Sequence, residues 1–236
     1  MKRRYATLLL AFLSAQAFCL DLTVDVGLTD KSYFRYESES GARQTESVSL
    51  GQGIGEHLYV NLELWHSNLL TLDEGRFCVP AEQDYTLSIE YAADPMTAGL
   101  LSTVYATDLR SRVDIAAFAD CSIPIAGDLA SLDAGLSVAT DLTGLYCEAS
   151  CGPTLCLPLG KPILIGVECK AGLVALGYDG INYNGLSTLT LKPKISASLS
   201  DALSLAAFGG YCFDLSGGAF TPYPFVGAKC SLSLGT

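Results

Sequence analysis

On the polar positions of its alternating segments, acidic and basic side chains are segregated along this chain. Asp21, Asp25, Glu63, Glu90, Asp114, Asp120 and Asp133 occupy the first part with Arg112 among them, and Lys170, Lys192, Lys194 and Lys229 occupy the last part with Glu168. If a fold brings the two sets face to face across water, they create a transverse field that orders water and biases the passage of ions and zwitterions. If it brings them into contact, they pair into a salt-bridged plug. Other chemistry is poorly provided for. His57 and His66 are the only histidines, and the extended chain between them spans about 30 Å, too far to share a metal. Gly51-Gln52-Gly53-Ile54-Gly55 has the look of a phosphate loop but lacks the lysine and the following amphipathic helix that such a site needs, so it reads as a turn. No Gly-x-Ser-x-Gly turn is present. We therefore expect no catalytic residue, no metal and no cofactor, and read the chain as a non-enzyme.

The elements that must position these charges are strands. Leu20, Leu22, Val24, Val26 and Leu28 alternate with Asp21, Thr23, Asp25, Gly27 and Thr29, a period of two that makes one face apolar and the other polar. The pattern returns at Leu58–Trp65, Tyr85–Tyr91, Arg112–Asp120, Leu132–Val138, Ile163–Lys170, Thr188–Leu199 and Val226–Leu234. Weaker segments lie at 44–51, 98–107, 144–150 and 202–213. Each is about ten residues long, the length a tilted strand needs to cross a bilayer. The sum is about twelve strands, with ten or fourteen as alternatives, and an even number suits a closed antiparallel barrel.

A soluble β-sandwich also alternates, so the choice of an all-β transmembrane barrel rests on further features. Tyr85 and Tyr91 stand on the apolar parity roughly 20 Å apart, near the spacing of two aromatic girdles. Tyr211 and Phe213 sit likewise at a strand end, and Trp65, on the polar parity at a strand end, reads as a rim or girdle residue, with a binding platform as the alternative. Connections at 30–43 and 67–83 read as long and those at 51–56 and 93–97 as short, the rhythm of outer loops and inner turns. That rhythm fails at 108–110, which is short, and at 151–161, which reads as long. Phe225–Leu232 resembles the terminal segment read by the barrel-assembly machinery, although Gly235-Thr236 follow it. On this reading Asp25, Glu63, Asp114, Lys192, Lys194 and Lys229 line the lumen and set selectivity. Tyr33, Arg35, Glu37 and Glu39 fall in the first long connection.

The composition agrees with export. Hydrophobic residues make up 50% and charged residues 17% of the 236 residues, yet no apolar run reaches the ~18 residues of a spanning helix. Lys2-Arg3-Arg4, the apolar Ala6–Leu13 and Ala15-Gln16-Ala17 form a secretory leader over 1–17, cut after Ala17, with the barrel domain over 18–236. A lipoprotein anchored at Cys19 is the alternative. A formal charge of −11 leaves nucleic acid a poor partner. The nine cysteines are Cys19, Cys78, Cys121, Cys147, Cys151, Cys156, Cys169, Cys212 and Cys230. Export permits disulfides among them, and the Cys147, Cys151, Cys156 trio is close enough in sequence to pair locally.

Leu22–Leu28, Tyr33-Phe34-Arg35, Val48–Gly51, Leu58-Tyr59-Val60 and Leu64-Trp65-His66-Ser67-Asn68 resemble the opening of the TorF-type porins. There a first strand is followed by a Tyr-x-x-Arg turn and a Gly-x-Tyr…Trp-x-Ser-Asn segment. The likeness covers about the first 70 residues; Arg35-Tyr36 stands where the family has Arg-Gly, and His57-Leu58 where it has glycine. It implies a porin-like barrel in the outer membrane of a Gram-negative cell and nothing about substrate. The expected function is a channel for small polar solutes or ions, with outer-membrane lipid and the assembly machinery as partners. A non-channel barrel with a structural or adhesive role, and a secreted soluble sandwich, stand as alternatives.

Overall fold

The computed structural model describes residues 21–34, 37–73, 76–107, 111–178, 183–218 and 222–234. Residues 1–20, which include the expected leader and Cys19, together with Arg35 and the side chains of Tyr33, Glu37, Glu39 and Cys78, lie outside what is described. The described residues form twelve strands: β1 (Asp21–Phe34), β2 (Glu37–Ile54), β3 (Leu58–Asp73), β4 (Arg76–Ala93), β5 (Met96–Thr107), β6 (Ser111–Pro124), β7 (Ala130–Thr140), β8 (Leu145–Leu159), β9 (Lys161–Ala175), β10 (Gly185–Ser198), β11 (Leu203–Asp214) and β12 (Tyr223–Leu234). Each pairs antiparallel with its neighbours in sequence, and β1 pairs with β12 from Leu22–Leu234 to Thr29–Gly227 to close the ring. Closure leaves no open sheet edge, which is the condition for a sheet to lie in hydrocarbon.

The period-two pattern fixes which face looks where. Leu87 and Ile89 on β4 are 50% and 49% exposed while Ser88 between them is 5% exposed, and Val113 and Ile115 on β6 flank Asp114 at 0%. Val26, Leu28, Leu191 and Ile195 are likewise exposed; Leu22, at the start of β1, is the exception and is buried. The buried polar set includes Ser47, Ser67, Thr103, Asp114, Ser187, Thr188 and Thr190. A sandwich would show the reverse, with its leucines and valines inside. The soluble alternative is therefore overturned, because an apolar surface of this extent is stable only against lipid or another apolar partner. Tyr85, Tyr91, Tyr211 and Phe213 all project outward, and the rings of Tyr211 and Phe213 lie 4.7 Å apart.

Two expectations about connections need correcting. The segments 30–43 and 67–83 are mostly strand: β1 and β2 stay paired as far as Phe34–Glu37, and β3 and β4 as far as Asp73–Arg76. At 18 residues, β2 and β4 exceed the ~9–11 needed to cross a bilayer. Backbone pairing does not need an apolar belt, and polar residues such as Thr45, Glu46 and Glu82 take the strand positions there. Residues 151–161 are also strand, belonging to β8 and β9. At the end that holds Asp21 and Leu234, the turns are the short segments 55–57, 94–95, 125–129, 160 and 199–202. There Lys161 donates to Asp201, holding that carboxyl below its usual range.

The local disulfides do not form either. Cys147, Cys151 and Cys156 follow one another along β8, and at ~3.3 Å per residue even Cys147 and Cys151 stand beyond the reach of a disulfide. Among the described residues Cys121, Cys147, Cys151, Cys156, Cys169, Cys212 and Cys230 are free thiols.

Candidate functional site

In a ring of twelve, strands six apart are opposite, so β3 faces β9 and β4 faces β10. That topology carries the segregated charges into opposition. A cavity of about 450 Å³ is lined on one side by Glu63, Glu82 and Asp84 from β3 and β4, and on the other by Lys170, Lys192 and Lys229 from β9, β10 and β12. A second cavity of about 390 Å³, nearer the end with the termini, is lined by Asp120, Asp133, Glu168 and Lys194 with Ser122 and Thr154. Glu168 and Lys192 are direct cross-strand partners, 3.7 Å apart at their charged ends, and each lines a different one of the two cavities.

The lumen charges are partly paired with one another. Lys229 Nζ donates to Asp25 Oδ2 at 2.8 Å, and Ser47 Oγ donates to the same oxygen at 3.4 Å. Lys170 Nζ stands 2.8 Å from Glu148 and 3.5 Å from Glu168. Asp133 accepts from Ser122, Ser131 and Thr154 at 2.7, 3.1 and 2.7 Å. The pairing is incomplete because the signs are unequal. On the inward parity, Asp25, Glu63, Glu82, Asp84, Glu90, Asp114, Asp120, Asp133, Glu148 and Glu168 outnumber Arg43, Arg112, Lys170, Lys192, Lys194 and Lys229. Among the described residues, therefore, formal negative charges outnumber positive ones on the inward face.

Toward the other rim, residues 176–178 after β9 turn inward. Leu176 and Gly177 take left-handed φ values of 60° and 78°, and Tyr178 enters the barrel with no exposed surface. Its hydroxyl donates to Asp114 of β6, whose other oxygen lies 3.2 Å from Arg112 Nε. The Arg112 guanidinium rests 4.7 Å from the centre of the Tyr105 ring and 5.6 Å from that of Tyr178, distances at which a cation is attracted to the ring face. Tyr146, Val174 and Tyr178 pack as an apolar cluster beside this ion pair. Gly144, in the turn between β7 and β8, makes room for the connection, since a Cβ there would collide with the backbone nitrogen of Tyr178. Gly144→Ala is expected to cost about 1–3 kcal/mol through overpacking. A urea unfolding curve of the folded barrel in detergent measures it, and an unchanged midpoint would show that the connection does not seat there.

The structure places Glu63, Lys192 and Lys229 against the larger cavity and Lys194 against the smaller one. Asp25 points into the lumen but is held by Lys229. Asp114 is buried behind Tyr178, so it touches neither cavity. Trp65 is not a rim residue: it faces inward and lines the larger cavity, as its polar parity requires. Glu82, Asp84, Tyr105 and Tyr178 were missed by sequence reasoning. Carrying the alternation back from Thr86 through Asp84 to Glu82 would have found two of them. Tyr178 lies in a connection, where no period reports direction.

No protein-family model matches the chain, and no curated protein matches it in sequence. Solved structures do match in fold. LpxR from Salmonella typhimurium superposes with a TM-score of 0.58 at 8% identity, over 90% of this chain and 99% of that one. The COG4313 outer membrane channel from Pseudomonas putida F1 gives 0.56 at 10% identity, over 91% and 95%. The NanC porin gives 0.55 at 8% identity, over 90% and 99%. At such identities the likeness is one of fold, and the fold these chains share with this one is the outer-membrane β-barrel.

Proposed function

We propose that this chain is a porin-like channel of the outer membrane for small polar solutes or ions. On this reading it is exported by the leader cut after Ala17, and the assembly machinery inserts it with Phe225–Leu232 as the terminal segment. The observation that carries the proposal is the pair of opposed charged walls around a cavity inside a closed, apolar-jacketed barrel. A structural plug has no use for an excess of inward carboxylates, because every unpaired buried carboxylate costs free energy. Porin and channel are also the names borne by two of the fold neighbours. The TorF-type resemblance over the first 70 residues points the same way. Asp25, Glu63, Asp114, Lys192, Lys194 and Lys229 are assigned to selectivity, with Asp114 acting through Tyr178. Purified protein in a planar bilayer tests the assignment: discrete conductance steps with a cation preference are expected, and their absence would remove it.

The inward-folded Tyr178 connection favours a second reading, a closed barrel with a structural or adhesive role. Under that reading neither the native protein nor Tyr178→Ala conducts. Under the channel reading, loss of the tether raises or destabilises the open current.

A further inference from the structure

The larger cavity carries features that single out a class of solute, on the premise that the barrel conducts. Trp65 is the direct cross-strand partner of Asp84, and Asp84 is the partner of Tyr105. The three side chains therefore form one layer, with Glu63 one inward position away on β3. Asp84 Oδ1 is buried without a hydrogen-bond partner. Among the described residues neither Glu63 nor Asp84 forms an ion pair. The Glu63 carboxylate, with no ion pair among the described residues, and the Trp65 indole two residues along β3 make a setting that attracts an ammonium group through charge and through the ring.

The opposite wall complements it. Lys170 is engaged by Glu148 at 2.8 Å and by Glu168 at 3.5 Å, whereas Lys192 meets Glu168 at 3.7 Å, and since an ammonium carries three donors Lys192 can still donate to the carboxylate of a solute. Lys192 also lies 5.0 Å from the centre of the Phe208 ring, and Phe208 and Phe225 give the cavity an apolar portion. We infer that the larger cavity favours zwitterionic solutes of amino-acid size, the ammonium end on the Glu63–Asp84 wall beside Trp65 and the carboxylate end on the Lys170–Lys192 wall. A volume of about 450 Å³ lies within the range of small-molecule pockets and admits such a molecule. A zwitterion adds no net charge, so it gains from both walls without paying the repulsion that either kind of ion meets at one of them.

Swelling of proteoliposomes holding the mature protein, in isosmotic serine or erythritol, reads the preference directly. Serine is expected to enter roughly threefold faster than erythritol, an orienting field of this kind raising local solute concentration. Glu63→Gln with Asp84→Asn, and separately Lys170→Gln with Lys192→Gln, are each expected to bring the serine-to-erythritol ratio to about one. If erythritol enters and serine is no faster through the native protein, the channel stands and the inference fails. If neither enters, the channel reading fails and takes the inference with it. If neutralising the lysine wall leaves the ratio unchanged, the site reads only the ammonium end, and the zwitterion assignment is overturned.

Discussion

Asp114→Ala is expected to lower the unfolding free energy of the barrel by about 3 kcal/mol, toward the lower end of what breaking a buried ion pair costs. Asp114 has no exposed side-chain surface and Arg112 retains 15%, so removing the carboxylate leaves a guanidinium with little access to water. The same change removes the acceptor of the Tyr178 hydroxyl. Two terms keep the cost from the upper end of the range: the Tyr105 ring still faces the guanidinium, and the neighbouring cavity allows water to approach. Tyr178→Phe removes one hydrogen bond and keeps the ring packing against Tyr146, so about 1 kcal/mol is expected. Reversible unfolding in urea with lipid vesicles, followed by the gel shift of the folded barrel, measures both. Equal losses for the two variants would show that the ion pair adds nothing beyond the tyrosine tether.

The second large effect is electrical. Lys192→Glu with Lys194→Glu replaces two positive charges by two negative ones on β10, where one side chain lines each cavity. β10 then repeats the sign of β3 and β4: the smaller cavity becomes uniformly acidic, and Lys170 and Lys229 are the positive charges left around the larger one. The cation-to-anion permeability ratio is expected to rise roughly fivefold over the native value in dilute salt. It should shrink toward the native value at molar salt, where the screening length falls to about 3 Å. Reversal potentials across a salt gradient give the ratio. An unchanged ratio in dilute salt would place the two lysines off the permeation path.

Much of this architecture was legible in the sequence because a strand has a simple code. Val113-Asp114-Ile115 states, in three residues, which side chain meets lipid and which does not. Once that parity is read, the inward charges follow, and the count of about twelve strands follows from the number of such runs. What stayed hidden has physical causes. Outside the apolar belt both faces of a strand meet water, so alternation fades and the extensions of β1–β4 pass for loops. Glu82 and Asp84 were lost with them. Trp65 was given to the rim for its place at a strand end, with a binding platform as the alternative, and its polar parity was the better guide. Tyr178 could not be placed at all, since its inward turn depends on the left-handed Leu176 and Gly177 and on the absence of a side chain at Gly144, contacts between segments far apart in the chain.

The single tryptophan offers the most direct test of the claim that oily parity meets lipid while polar parity meets enclosed water. In vesicles, Trp65 emission should be quenched by a small water-soluble quencher and left intact by lipids brominated along the acyl chains. Moving the fluorophore to a neighbouring outward position, with Trp65→Phe and Leu87→Trp, should exchange the two responses. Quenching of native Trp65 by the brominated chains, or of the tryptophan at position 87 by the aqueous reagent alone, would contradict the account.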